Sequence, residues 1–486
     1  MTHSTSMRIS ALLAGVALSI APLSAQTARN ISPSDKATGA KANPDLIAEY
    51  GGVETGPQAA YVASIGKNIA IQSGLSNARD DFTVTLLNSP VNNAFAIPGG
   101  YVYTTRQLVA LMNNEAELAG VLGHEIGHVA ARHSAKRQKA ATRNSILGVL
   151  GTVLSGAILG NSALGQLGQR AFSQGSQLLT LQFSRAQETE ADNLGIQYLK
   201  SAGYDPRAMS TVLQSLANQT ALDARIMGSG GNRVPEWAST HPDPASRVRA
   251  ALVRAGPAAT GITNRDAFLS RIDGLMYGDD PKQGVVEGSR FTHPEFRLAF
   301  QAPNGFYIMN GTRAVSIGGT SGKGEFSTAA YNGDLDSYIR SVFSSLGGQN
   351  QAQIPVSQIE HTTVNGIPAA YGTARVNSGN SQVDVVVFAY EFANRQAYHF
   401  TTLSPAGQSG TFDPMFRSLR RISASEAAAI KPRRIDIVTV RSGDTVRSLA
   451  GRMAYSDYQL ERFLVLNGLT ANASLSAGQK VKIVVS

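Results

Sequence analysis

Cysteine is absent from this chain of 486 residues. That excludes disulfides, a thiolate metal site and a lipid-bearing cysteine. Charge is sparse, at 16% of residues against 42% hydrophobic, which describes a globular chain. With 48 glycines, it points to many turns and an extracytoplasmic surface. Long runs of large apolar residues are scarce as well. Ile9 to Ile20 falls short of the roughly 20 residues of a membrane span. With Arg8 before it and Leu23-Ser24-Ala25 after it, the run reads as a cleaved secretory signal over residues 1–25. Residues 26–44 are polar and are expected to form a flexible leader. No basic helix and no interleaving of aromatic with basic residues is found, so nucleic acid is not an expected partner. The net charge of +9 and pI of about 9.6 suit anionic envelope polymers or lipid head groups, or simply a solvated basic surface.

The length predicts two to four domains. The most informative stretch is His124-Glu125-Ile126-Gly127-His128, an H-E-x-x-H string. Asn114 is a candidate N-cap with Glu117 three residues on. Leu118, Val121, Leu122, Ile126 and Val129 then recur at helical spacing. Residues four apart share a helix face, so His124 and His128 can aim at one ion while Glu125 sits about 100° round. That is the arrangement of a zinc hydrolase: two neutral imidazoles hold Zn²⁺, and the carboxylate takes a proton from zinc-bound water. Gly123 and Gly127 cost about 1 kcal/mol each against alanine in a helix. Their presence predicts a backbone or substrate packed close to this turn.

A third protein ligand is required. His133 is near in sequence but about half a turn out of phase with His124, which points it away and makes it a surface or core histidine. The longer pattern H-E-x-x-H-x-x-G-x-x-H fails, because Ala131 and Ser134 hold its Gly and His positions. Glu188 is the better candidate. It opens a second helix whose stripe continues through Asp192, Gly195 and Leu199, closed by Gly203 and Pro206. Asp192 could accept the free N–H of a ligating histidine. An ordinary solvated acidic face is the alternative for this stripe, and Glu190, off it, is expected to be solvated.

These segments resemble the HtpX/BepA/Oma-type zinc metallopeptidases. The likeness runs from His124 to His133, through Ser184-Arg185 and Glu188 to Asp192, and upstream to Asn92 through Gly100. Ser239-Thr240-His241-Pro242 and Ser246-Arg247 also match, so it spans roughly residues 45 to 252. The resemblance implies a zinc-dependent endopeptidase with one Zn²⁺ per chain. It implies that Asn93, Ala94, Phe95 and Ala96 lie on an edge strand where an extended peptide could add. It also places His241 and Arg247 near the site, as an extra zinc contact or a transition-state donor.

The C-terminal stretch resembles a LysM module: Val440 to Val446, Leu449-Ala450, Asn467-Gly468-Leu469, and Leu475 to Ile483. The family folds as β-α-α-β and binds N-acetylglucosamine polymers. By resemblance, loops at Gly443, Asp444 and Thr445 and near Asn472 to Leu475 would line the sugar groove. Ala477 departs from the proline usual before Gly478. A docking module without sugar binding is the alternative.

The expected class is therefore α+β. A mainly helical zincin-like domain (45–255) is followed by a helical linker (256–290) and an antiparallel α+β sheet domain (291–423). A linker (424–435) then leads to the LysM domain (436–486). Strands are expected at Phe296 to Phe300, Phe326 to Tyr331, Ala369 to Val376, Val383 to Tyr390 and Tyr398 to Leu403. Between the two metal helices, Ser145 to Leu164 is apolar and rich in glycine and alanine. It reads as a hairpin contacting a membrane, an outer-membrane protein or an unfolded client, or as a buried helix pair. The expected function is an envelope endopeptidase for misfolded or misassembled proteins, tethered to peptidoglycan. A peptidoglycan hydrolase and a chaperone or scaffold with little proteolysis are the alternatives.

Overall fold

A computed structural model describes residues 30–75, 77–136, 183–227, 237, 241, 244–346, 354–378 and 381–486. The expected signal (1–25) and the apolar stretch 145–164 lie outside the described residues. Among the described residues, no helix is long and apolar enough to cross a membrane. The architecture is mixed α+β, as expected.

The N-terminal half is built of α1 (Pro33–Glu49), α2 (Pro57–Ile71), α3 (Ala78–Asp81), β1 (Thr83–Leu87), β2 (Ala94–Ile97) and β3 (Tyr101–Thr105). It continues through α4 (Arg106–Leu111), α5 (Glu115–Ala130), α6 (Arg185–Ser201), α7 (Ala208–Met227), α8 (Pro244–Ala255) and α9 (Arg265–Ile272). The helix α5 carries the H-E-x-x-H string. Asn114 caps it, its Oδ1 accepting from the Glu117 N–H at 3.0 Å. Glu117 reaches back one residue further than a capping box requires, to the Asn113 N–H at 2.7 Å. Leu118, Leu122 and Ile126 are fully buried and Val121 nearly so. Each such side chain is worth about 1.5–3 kcal/mol of transfer free energy. Ser184 starts α6 with a complete capping box to Gln187.

The glycines of α5 are explained by α6. A Cβ at Gly123 would lie 3.4 Å from the Gly195 Cα, and one at Gly127 would lie 3.3 Å from the Ala191 carbonyl. On α6, a Cβ at Gly195 would stand 3.1 Å from the His124 N. Backbone meets backbone here, and that closeness carries Glu188 and Asp192 over the two histidines.

A three-stranded sheet, β1-β3-β2, flanks this pair, with β1 parallel and β2 antiparallel to β3. The edge strand is β2. Gly99 and Gly100, both at positive φ, make the turn into β3.

The leader expected over 26–44 needs correcting. Residues 33–44 belong to α1, capped by Ser32 with Pro33 in the first turn. Gly39 lets this helix lie against the chain at Pro98, where a Cβ would be 1.9 Å from the Pro98 carbonyl oxygen. Its anchor is that contact and the buried Leu46.

The linker expected over 256–290 also holds more than a helix. After α9 comes β4 (Met276–Tyr277), then β5 (Val285–Glu287), β6 (Arg290–His293), β7 (Leu298–Gln301), β8 (Tyr307–Asn310), β9 (Val315–Gly319) and β10 (Gly322–Thr328). Helix α10 (Leu335–Leu346) precedes β11 (Glu360–Val364), β12 (Ile367–Ser378), β13 (Ser381–Ala393) and β14 (Gln396–Pro405). Then follow α11 (Asp413–Ser418), β15 (Arg420–Arg421) and α12 (Ala424–Ala429). A seven-stranded antiparallel sheet runs β11-β12-β13-β14-β10-β9-β8, and a four-stranded sheet runs β15-β7-β6-β5. Aromatic side chains, among them Phe300, Phe326, Phe400 and Phe416, fill one core, and α10 closes a second. Phe296 is not in the strand expected to start there. It lies in the turn before β7, stacked on His293 at 3.8 Å.

The C-terminal module follows β-α-α-β order: β16 (Arg433–Thr439), α13 (Val446–Ala450), α14 (Gln459–Leu466) and β17 (Lys480–Val485). Its sheet gains β4 as a third strand, in the order β17-β16-β4. The sequence between, 424–435, is therefore a capped helix, α12, and the start of β16. The module is not a separate bead. Its core residues Ile435, Phe463, Val481 and Ile483 are continuous with those of α2, α4, α5 and α9.

Candidate metal centre

Four donors converge where α5, α6 and the segment at 241 meet. His124, His128, Glu188 and His241 are all buried, and one ligand atom from each falls within 4.8 Å of the others. His124 Nε2 is 3.0 Å from His128 Nε2 and 3.3 Å from His241 Nδ1. Glu188 lies 3.5 Å from each of the first two imidazoles and 3.2 Å from the third. Donors about 2.0–2.1 Å from a tetrahedral ion stand roughly 3.3 Å apart. The observed spacings of 3.0 to 3.5 Å fit one small divalent cation. The set is three nitrogens and a carboxylate, with no thiolate.

A second set of groups holds these donors. Asp192 Oδ1 is 2.9 Å from His124 Nδ1, the nitrogen turned away from the cluster. Arg247, from α8, forks onto Asp192 at 2.8 and 2.5 Å and reaches Glu188 at 2.7 Å. Burial alone would raise the Asp192 carboxyl, but Arg247 and His124 hold it down at about 2. Glu188 is likewise held well below the usual range, its burial outweighed by His241, His124 and His128. Both carboxylates are therefore favoured in their charged form. Phe183 stacks on His128 at 3.9 Å, and Trp237 stacks on His241 at 4.3 Å.

Glu125 is fully buried, with neither carboxyl oxygen hydrogen-bonded. Burial pushes its carboxyl up, against the pull of His241 and His124. A buried carboxyl without a hydrogen bond is costly. Oε1 stands 3.5 Å from His241 Nε2, the ring nitrogen that also meets the Ala94 carbonyl, so the group sits beside the donor cluster.

The edge strand lies alongside. The Ala94 carbonyl is 3.3 Å from His241 Nε2, and so points off the open side of β2. Phe95 turns the other way, between Tyr50 and Tyr103. Ala96 and His128 line the same cleft, closed by Ile31, Leu75 and Arg132. Asn93 is buried behind the strand, its Nδ2 donating to the Tyr50 hydroxyl at 3.1 Å.

The structure thus gathers His124, Glu125, His128, Glu188, Asp192, His241, Arg247 and Ala94. It puts Phe95 and the Asn93 side chain on the far side of the strand. Gly443, Asp444, Thr445, Asn472 and Leu475 belong to the C-terminal module. Gly443 has φ +91°, Asp444 accepts from the Arg441 N–H at 2.7 Å, and Thr445 caps α13. Gly443 and Asn472 are exposed, and Leu475 leans on the core. His133 and Glu190 also belong to the surroundings of the centre. Sequence spacing missed this, because it presumed that α5 runs on unbent.

The sequence profile of peptidase family M48 matches residues 57–255, and that of the LysM domain matches residues 438–484. A beta-barrel assembly-enhancing protease of Yersinia pestis is 35% identical over 227 residues, covering 45% of this chain and 44% of that protein. Its counterpart in Escherichia coli (strain K12) is also 35% identical, covering 46% and 45%. The mitochondrial metalloendopeptidase OMA1 of Schizosaccharomyces pombe is 34% identical over 208 residues, covering 42% of this chain and 56% of that one. The chain spans about half the length of these relatives. Residues 57–255 are accordingly a metallopeptidase domain of family M48, and the chain carries a LysM domain at residues 438–484.

Proposed function

We propose that the chain is a zinc-dependent endopeptidase of the bacterial cell envelope. It cleaves misfolded or misassembled envelope proteins and is held to peptidoglycan by the LysM domain. The observation that carries this reading is the buried carboxyl of Glu125, without a hydrogen bond, beside four metal donors and an open strand edge. Nitrogen and carboxylate donors at tetrahedral spacing in a buried site suit zinc, one ion per chain. The beta-barrel assembly named in the relatives supports clients of that class.

In this mechanism His124, His128 and Glu188 hold the ion. When bound, it supplies Lewis-acid polarisation of the peptide carbonyl and makes water more acidic. The substrate lies extended along β2, taking backbone hydrogen bonds from the open edge at Ala94 and Ala96. Glu125 accepts the proton of the attacking water and passes it to the leaving amine. Asp192 fixes the tautomer of His124, and Arg247 pins Asp192 and Glu188 together. In this reading the fork makes Arg247 a positioning residue rather than a transition-state donor. His241 occupies the fourth donor position and the Ala94 carbonyl, so it must swing aside to admit water and peptide. The exposed loops at Gly443 to Thr445 and at Asn472 leave the LysM groove open to glycan.

The deciding experiment is Glu125→Gln, with zinc content and cleavage of a casein-type protein read together. Retained zinc and lost cleavage are expected; unchanged cleavage overturns the mechanism. The LysM domain equally suits a peptidoglycan hydrolase. Muropeptide release from purified sacculi, in place of protein cleavage, would shift the assignment there. Client binding that is equal with Glu125 intact or replaced, and no proteolysis by either form, would mark a chaperone.

A further inference from the structure

Helix α5 does not run straight through its own end. Arg132 sits at φ +54°, a left-handed conformation that a non-glycine residue adopts at a cost of about 1–3 kcal/mol. The bend carries His133 back against α5, fully buried, with its Nδ1 2.8 Å from His128 Nδ1. On its other side, His133 Nε2 is 3.1 Å from Glu190 Oε2, and Lys136 Nζ approaches the same carboxylate at 3.7 Å. Glu190 is half-exposed, on α6, two residues from Glu188.

The order of protons along this chain is forced. His128 presents Nε2 to the donor cluster, 3.0 Å from His124 Nε2. A ring that gives its Nε2 lone pair to a cation carries its hydrogen on Nδ1. That hydrogen faces His133 Nδ1, which must therefore be the acceptor. The hydrogen of His133 is left on Nε2, where it meets the Glu190 carboxylate. Only one tautomer of each ring satisfies all three positions.

We propose that His133 and Glu190 are positioning residues for His128. They hold its ring orientation and its Nδ1–H tautomer, so that Nε2 is permanently aimed at the metal. His124 has a single buried carboxylate, Asp192, in the equivalent place. His128 uses a neutral imidazole backed by a surface carboxylate. Helix α6 thus braces both histidines of α5, with Asp192 on His124 and Glu190 behind His133. The inference rests on the proposed metal site.

The test is the zinc dissociation constant of the full chain, measured by competition with a chromophoric chelator, with the unfolding midpoint of the metal-free protein alongside. His133→Leu removes the acceptor and is expected to weaken zinc by about 10- to 100-fold. His133→Asn places a carbonyl oxygen where Nδ1 stood and should recover most of that loss. His133→Gln, equally polar but one carbon longer, should not. Glu190→Gln keeps an acceptor without charge and should weaken zinc only several-fold. A role in packing alone would lower the unfolding midpoint of the metal-free glutamine variant along with its zinc affinity. A positioning role separates the two variants in zinc affinity at similar metal-free midpoints, so this pair decides even if the leucine variant fails to fold. Equal zinc affinity in the asparagine and glutamine variants overturns the inference, as does wild-type affinity in the leucine variant. A wild-type chain that takes up no zinc would instead overturn the metal site itself.

Discussion

The ammonium group of Lys482, in the last strand of the LysM domain, lies 2.6 Å from the carbonyl oxygen of Met112, just past the end of the peptidase helix α4. It also donates to the carbonyls of Ala110 and Leu111, at 2.8 and 3.2 Å. A lysine fully buried at a helix C-terminus satisfies orphan carbonyls and complements the helix dipole. Burial pushes Lys482 down to about 7, and Glu117, in the first turn of α5, pulls against that from the same pocket. The stability of the peptidase is thereby tied to a side chain from another domain.

Replacing that side chain tests the tie. Lys482→Met leaves three buried carbonyls without their donor. A loss of about 3 kcal/mol or more is expected. Urea unfolding of the full chain measures it. Two separate transitions, with the peptidase midpoint unmoved, would refute the coupling.

His241 holds the fourth donor position, and a catalytic site keeps one position for water. His241→Ala should therefore retain zinc on His124, His128 and Glu188 and cleave protein faster than wild type. A variant that keeps zinc and loses activity would make His241 a donor to the transition state instead. Trp237, the only tryptophan in the chain, stacks on His241. Its fluorescence should change when zinc is added to the metal-free wild type and change less in His241→Ala.

The approach of α5 to α6 depends on Gly195. A Cβ there would stand 2.6 Å from Met209 Cε and 3.1 Å from the His124 backbone N. The methionine can move, but the backbone cannot. Gly195→Ala should cost about 1–3 kcal/mol as overpacking, and Gly195→Val should cost more. Because the shift carries Glu188 with it, zinc affinity should fall along with stability. Unfolding and zinc titration of the two variants, read together, check that link.

In the seven-stranded sheet, burial pushes His399 down to about 4. Its ring is held between the Tyr338 hydroxyl at 2.8 Å and the Ser327 hydroxyl at 3.3 Å. The unfolded chain, with an ordinary histidine near 6.5, binds more protons than the folded one between those two values. Stability should therefore fall as pH drops from about 6.5 and level off near 4, with about 3 kcal/mol at stake. His399→Gln should remove that part of the dependence. An unchanged difference in unfolding free energy between pH 7 and pH 4.5 would refute it.

The centre was partly legible in the sequence because its first pair of donors is local. Two histidines four residues apart in an apolar-striped helix can be read from spacing alone. Glu188 and Asp192 repeat that spacing on a second helix. What spacing cannot give is a bend. His133 looked out of phase because helical geometry was extended past Arg132, where the backbone leaves it. Glu190 looked solvated because its partner arrives by that same bend. Trp237 and Phe183 have no periodic signature, and they matter only because of the rings they meet. In the fold, α1 escaped notice because its sequence is polar and weakly striped; its N-cap, the Gly39 contact and the buried Leu46 hold it. The dipeptide strand Met276–Tyr277 is too short to announce itself, and its partner lies over 150 residues downstream.

That small strand has a mechanical consequence. Tyr277 and Arg433 are register partners across β4 and β16, so the chain departs for the large sheet and returns at almost the same point. Tension applied to the C-terminal module would pass through β16 to the backbone at Gly274 and Leu275, and through Arg265 and Lys482 into the peptidase body. None of that path crosses the seven-stranded sheet. The sheet unit hangs off that line as a side branch of the chain.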